Sequence, residues 1–269
     1  MKKLTGEIIK YYSKYDEHVR LSKDPAHEIE FLITMHFIEK HLPKKGSILD
    51  VGGGTGKYAF ELAKKGYDVV LIDVVPNHVD IANLIIKQKK LENKVVAFVG
   101  DVTNLKEFKN AKFDAVLCLG AVLSHVTYEN DIDLAMKELV RVAKKDAPIF
   151  VSVIGRLGAA QYRLRYENKR IINYFTTLKT GFNSPGKTGG FTDAHFFLGK
   201  ELENLFLLNK LKIVDKVGLE GLSSGFQEET NFIYKNKKIW NAWIEMLKET
   251  ANDETAYGKS LHFMIIGKK

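Results

Sequence analysis

Ser47-Ile48-Leu49-Asp50-Val51-Gly52-Gly53-Gly54-Thr55-Gly56-Lys57 opens the stretch that decides the fold of this chain, and Val69-Val70-Leu71-Ile72-Asp73-Val74-Val75-Pro76 closes it. A short apolar run ends at a carboxylate. Glycines follow, then an apolar-periodic helix, then a second buried run that also ends at a carboxylate. This order predicts a strand–loop–helix–strand unit, the kind that holds a nucleoside at the carboxyl ends of parallel strands. Backbone that turns sharply against a ligand has no room for a Cβ, and glycine also accepts positive φ. The helix that starts behind the loop points its first amides and positive dipole end at whatever lies there. Asp73, at the tip of the second strand, is placed to accept hydrogen bonds from ribose hydroxyls.

Three nucleotide loops compete for these glycines. A P-loop requires Gly-x4-Gly-Lys-Ser/Thr, but Tyr58 follows Gly56-Lys57 and Val51 stands where the first glycine belongs. A dinucleotide loop requires Gly-x-Gly-x-x-Gly/Ala. The set beginning at Gly52 fails at Lys57, and the set Gly54-x-Gly56-x-x-Ala59 fits but begins late after the strand. The third reading fits at every position. Asp50-Val51-Gly52-Gly53-Gly54-Thr55-Gly56 resembles the Asp/Glu-h-Gly-x-Gly-x-Gly motif (h apolar) of class I S-adenosylmethionine-dependent methyltransferases.

That resemblance extends from about Ile29 to Lys269 and implies an α/β fold. The expected sheet is Rossmann-like and seven-stranded, of order 3-2-1-4-5-7-6, with the seventh strand antiparallel and helices on both faces. It implies S-adenosyl-L-methionine as cofactor, with S-adenosyl-L-homocysteine as product. Asp50, Gly52, Gly53, Gly54, Asp73 and Val74 would then hold the cofactor. In Gly100-Asp101-Val102, Asp101 resembles the residue that takes the adenine amino group, with the Val102 amide on the ring; a helix N-cap is the other reading of Asp101. Leu119-Gly120-Ala121 resembles the backbone that passes along the cofactor. The nearest look-alikes are small-molecule methyltransferases of the ubiquinone/menaquinone biosynthesis type, a likeness that says little about the acceptor because fold does not fix function.

Composition describes an ordinary globular domain: 45% hydrophobic, 28% charged, 269 residues. One methyltransferase domain is expected over residues 1–269, with a cap segment at 1–28 and an insertion or lid at 155–199. The N-terminus has charge but no apolar core of a signal peptide, and no run reaches the roughly 20 apolar residues of a membrane span. A single cysteine, Cys118, excludes an intrachain disulfide and a cysteine-cluster metal site. With His27, His36 and His41 in no ligand pattern, no metal is expected, and a cytoplasmic protein is the simplest reading. The net charge of +8 is spread over scattered lysines without a tight basic run, so nucleic acid is not the expected partner. The sequence leaves the oligomeric state open.

The N-terminal stretch from Leu4 to Arg20 is too polar for core. It reads either as a surface helix or as a segment folded over the cofactor; in similar methyltransferases such a segment brings an arginine or a tyrosine, here Arg20 or Tyr15, to the methionine carboxylate. Asp24-Pro25 predicts a capped helix start, and Pro43 its end.

The acceptor half is less explicit. His125 lies just past the fourth strand, where side chains face the ligand crevice, and an imidazole there can accept a proton or simply orient substrate. Asn/Asp-Pro-Pro-aromatic and Pro-Cys motifs are absent, which argues against amino-group DNA methylation and cytosine C5 chemistry. After a fifth strand at 148–154 comes the stretch Gly155 to Gly199, longer than a βα connection requires. Arg156, Tyr162, Arg163, Arg165, Tyr166, Arg170 and Tyr174 fall on one expected helix, followed by a glycine-rich loop. A lid over a small molecule, an RNA-facing patch and a solvated helix all fit this pattern. His195 closes the insertion and is the second catalytic candidate. The expected function is methyl transfer to a small-molecule acceptor. RNA or protein methylation through the basic insertion, and cofactor binding without transfer, are the alternatives.

Overall fold

The computed structural model describes residues 3–13, 17–167, 169, 171–184 and 192–269. Seven strands form the central sheet: β1 (Ser47–Val51), β2 (Asp68–Asp73), β3 (Val95–Val99), β4 (Ala115–Cys118), β5 (Pro148–Ile154), and, nearer the C-terminus, β8 (Lys212–Gly218) and β9 (His262–Lys268). Their order is β3-β2-β1-β4-β5-β9-β8. β1 to β5 pair in parallel, and β9 runs antiparallel to both β5 and β8. This is the expected seven-stranded order. Two extra strands shift the numbering: β6 (Phe182–Asn183) and β7 (Ala194–His195) make a small hairpin of their own inside the insertion.

The strands at the centre are buried on both faces, as parallel strands between helix layers must be, and side chains alternate between two cores. On one side Ile48, Leu71, Leu117, Phe150 and Met264 pack against α2 (Pro25–His41), α3 (Lys57–Lys64), α4 (Pro76–Gln88) and α10 (Lys237–Thr250). On the other, Leu49, Ile72, Val116, Val151 and Phe263 meet α5 (Glu129–Val142) and α8 (Gly199–Leu208). The α2 start is the one foreseen: the Asp24 carboxylate accepts from the His27 amide at 3.1 Å, and proline occupies the first turn.

One expectation needs correction. The arginine-rich helix is two helices, α6 (Arg156–Tyr166) and α7 (Tyr174–Thr180). After β8 the chain forms a 3₁₀ turn at Gly221–Ser223 and the helix α9 (Gln227–Ile233). At the start of the chain, α1 (Lys3–Tyr12) and a 3₁₀ turn at Glu17–Ser22 form before α2, and α11 (Glu254–Lys259) leads into β9. The glycine loop at 185–191, Arg170 and Tyr15 lie outside the described residues.

Candidate active site

The order of the sheet reverses between β1 and β4, which opens a crevice beyond the carboxyl ends of the strands. A cavity of about 970 Å³ occupies it. Its floor is the loop after β1. Gly52 has φ +68°, and a Cβ there would stand 2.1 Å from Val122 Cγ2; a Cβ on Gly53 would meet the Asp50 carboxylate at 2.6 Å. The loop therefore keeps its path only with these two residues bare.

Asp73 ties loop to sheet. Its Oδ2 accepts from the Gly54 amide at 2.9 Å, and its Oδ1 accepts from the Val75 amide at 2.8 Å. A carboxylate offers about four acceptor positions, so it can serve hydroxyl donors as well as these two amides. Asp50 is different. It is buried, and neither oxygen has a hydrogen-bond partner among the described residues. Burial, reinforced by the negative charge of Asp73, pushes its carboxyl up to about 7. A buried acceptor pair without donors is costly, and it calls for a cationic or donor group in the cavity. The ammonium of a methionine moiety is such a group.

Asp101, Val102 and Leu119 line the same cavity, as does Val74. Asp101 does not cap a regular helix: its Oδ1 accepts from the Thr103 amide and hydroxyl, both at 2.8 Å, which fixes the turn after β3. Arg20 also reaches the cavity from the N-terminal segment, where it lies against Gly120 and pairs with Glu30 at 2.8 Å.

β4 ends in two consecutive left-handed residues, Gly120 at φ +64° and Ala121 at φ +63°. A non-glycine residue there carries strain of order 1 kcal/mol. The strained corner delivers the 3₁₀ turn Val122–His125, and Ser124 Oγ anchors it by accepting from the Ile154 amide at 3.0 Å. His125 lines the cavity with its Nε2 2.9 Å from the Tyr12 hydroxyl of α1. Burial pushes its imidazole down to about 4, with the Asp193 backbone acting in the opposite direction. The ring is therefore neutral near pH 7 and offers one donating and one accepting nitrogen.

His195 does not join it. It is absent from the cavity wall and stands over Gly181, with Nε2 3.5 Å from Glu201 and its ring edge-on to Phe197. In the β6–β7 pair it stands opposite Phe182. The arginines of α6 are also engaged within the chain. Arg156 is buried and paired to both Glu201 oxygens at 2.7 Å; Arg163 is buried beside Glu167 and Asn183; Arg165 pairs with Glu229.

Several wall residues carry no mark in the sequence. Tyr11, Tyr12, His78, Phe196, Leu261, His262, Glu220 and Ser224 all line the cavity. Only Glu30 left a trace: a carboxylate between Ile29 and Phe31, four residues after Ala26 and before Thr34, sits on the buried side of α2. Cys118 is buried and its thiol is pushed up to about 12, chiefly by burial and then by Asp50, which makes it inert.

The strand order and the glycine loop are those that the resemblance to class I methyltransferases implies. Residues 48–146 match the family described as a methyltransferase domain. The chain is 24% identical over 180 residues to the ubiquinone biosynthesis O-methyltransferase of Bartonella bacilliformis, covering 64% of this chain and 62% of that one. It is 36% identical over 109 residues to the norajmaline N-methyltransferase of Rauvolfia serpentina, covering 40% and 36%. The chain thus spans less than two thirds of the length of either curated relative. Among solved structures, an S-adenosylmethionine-dependent methyltransferase from Methanosarcina mazei aligns with a TM-score of 0.61 and 25% identity, over 87% of this chain and 96% of that one.

Proposed function

We propose that the chain binds S-adenosyl-L-methionine in this cavity and transfers its methyl group to a small-molecule acceptor. One observation carries the reading: the glycine loop with Asp50 and Asp73, and a separate wall built by Tyr12, His125, Ile154, Phe196 and His262, face the same continuous cavity. Its volume suits a cofactor with a small molecule beside it. The sulfonium supplies an already activated methyl group. What remains for the protein is to align the acceptor, exclude water and, for acceptors protonated at neutral pH, take up a proton.

Asp50, Gly52, Gly53, Gly54, Asp73, Val74, Asp101, Val102 and Leu119 would hold the cofactor, with Arg20 at the methionine end. Neutral His125, backed by the Tyr12 hydroxyl, is the group to receive an acceptor proton. The segment 1–28 and the insertion 155–199 act as covers: Ile8, Tyr11 and Tyr12 close one side and Tyr162, Arg163 and Phe196 another. The pairing of Arg156, Arg163 and Arg165 within the chain lends little to an RNA-facing insertion. Among the described residues no helix is long and apolar enough to cross a membrane. The single buried thiol accords with a cytoplasmic setting.

A methyl-transfer screen with labelled donor against a small-metabolite extract and against total RNA tests this. The label is expected in a small molecule. Label in RNA alone, with affinity that falls steeply as salt rises, would overturn the choice of acceptor.

A further inference from the structure

Along the cavity wall, a chain of alternating charges runs from the end of the sheet to the N-terminal segment. Glu220 begins it. Its Oε2 accepts from the Ser260 hydroxyl at 2.9 Å and from the His262 amide at 2.7 Å, and its Oε1 lies 2.6 Å from His262 Nδ1. His262 Nδ1 stands 3.7 Å from Glu30 Oε2. Glu30 in turn accepts from Arg20, at 2.8 Å from Nη1 and 3.5 Å from Nη2. Four elements meet here: the 3₁₀ turn at 17–22, α2, the connection after β8, and the first residue of β9.

The charges support one another. Burial opposes ionisation of Glu30, but Arg20 and then His262 hold its carboxyl below the usual range. Burial likewise opposes charge on His262, yet Glu220 and Glu30 hold its imidazole above the ordinary value, while Arg20 opposes them. Glu30 is 5% exposed, and apart from Thr34 the other buried residues of its helix are apolar. A buried carboxylate at such a position persists only when its partners compensate it. Arg20, at the other end, lies over the bare backbone of Gly120, with Nη2 3.3 Å from where a Cβ would be. Gly120 follows Leu119 on the wall where the methionine moiety would lie. A guanidinium is a rigid fork, and a carboxylate that grips it fixes the direction in which it points.

We propose that Glu30 is a positioning residue of the cofactor site: it aims the Arg20 guanidinium at the carboxylate of the methionine moiety, and His262 with Glu220 keeps Glu30 in place. The inference rests on the methyltransferase reading. It gives one anchor of the cofactor to residues outside the glycine loop, and ties that anchor to the wall on which the acceptor would lie, since His262 and Glu220 both line the cavity.

The test compares two ligands by calorimetry. S-adenosylhomocysteine carries the amino-acid carboxylate; 5′-methylthioadenosine has the same nucleoside thioether without it. Glu30→Gln is expected to weaken S-adenosylhomocysteine by about tenfold or more, the scale of a lost charge-assisted hydrogen bond, and to leave methylthioadenosine unchanged. Arg20→Gln should do the same, the double variant should be no weaker than Arg20→Gln alone, and Glu30→Asp should recover part of the loss. Methylthioadenosine binding also reports an intact site in the buried Glu30→Gln variant, and Arg20→Gln tests the claim independently of it. Equal loss for both ligands, unchanged affinity for S-adenosylhomocysteine, or additive effects in the double variant would overturn the inference. If the unaltered protein bound neither ligand, the methyltransferase reading itself would fall. If it bound both equally well, only the inference would.

Discussion

Asp50 shows how much chemistry one side chain can carry. Its carboxyl sits at about 7 because it is buried close to Asp73. The sign follows from linkage: the fold raises this pKa above the unfolded value, so it favours the protonated acid. That stabilisation is complete below about pH 4 and is lost as pH rises through about 7. A bound ammonium reverses the preference, since it favours the carboxylate. The increase in Tm produced by saturating S-adenosylhomocysteine should therefore grow between pH 5.5 and pH 7.5, and Asp50→Asn should flatten that growth. Thermal unfolding across this range, with and without ligand, checks it. A ligand-induced shift that is the same at every pH would show that Asp50 does not face the amino group. Asp50, Gly52 and Asp73 were legible in the sequence because spacing along one chain segment sets their geometry. Tyr12, Glu30, Glu220 and His262 were not, because each acquires its place only through partners from distant elements, as the 10- and 113-residue separations of the Arg20–Glu30 and Tyr12–His125 contacts show.

At the scale of elements, the strands could be read because buried parallel strands carry continuous apolar runs, whereas their order was what the methyltransferase resemblance implied. The insertion resisted. Its arginines look alike in sequence, but the partners of Arg156 and Arg165, Glu201 and Glu229, lie 45 and 64 residues away. His195 shows the same limit: its position at the end of the insertion suggested the cavity, and it stands in the β6–β7 pair beside Glu201 instead. Arg156 also donates from Nε to the Phe196 carbonyl at 2.9 Å, and its own carbonyl accepts from the Tyr174 hydroxyl at 2.6 Å, so it clamps α6, α7, β7 and α8 together. Glu201→Gln leaves that buried cation without its counter-charge. A loss of about 1–3 kcal/mol is expected, because Glu201 itself is partly exposed. Denaturant unfolding measures it; a change within 0.5 kcal/mol, roughly the ordinary effect of a surface substitution, would remove the clamp from the account.

For the whole molecule, the sheet reversal places one crevice between β1 and β4, and the two segments least like a minimal Rossmann fold, the N-terminus and the insertion, both reach the rim of that crevice. This arrangement suits chemistry that needs shelter from water more than it needs a strong base. The +8 charge is distributed over the surface and, on the insertion, is partly neutralised within the chain. On this reading the crevice holds a nucleoside-sulfonium cofactor on the glycine loop and Asp73. Calorimetric titration of S-adenosylhomocysteine into the intact protein and into Asp73→Ala tests it most directly. One saturable site per chain is expected, weakened at least about tenfold by the substitution, because ribose hydroxyls would lose their acceptor and Gly54 its tether. No binding to the intact protein, or equal affinity in Asp73→Ala, would contradict it.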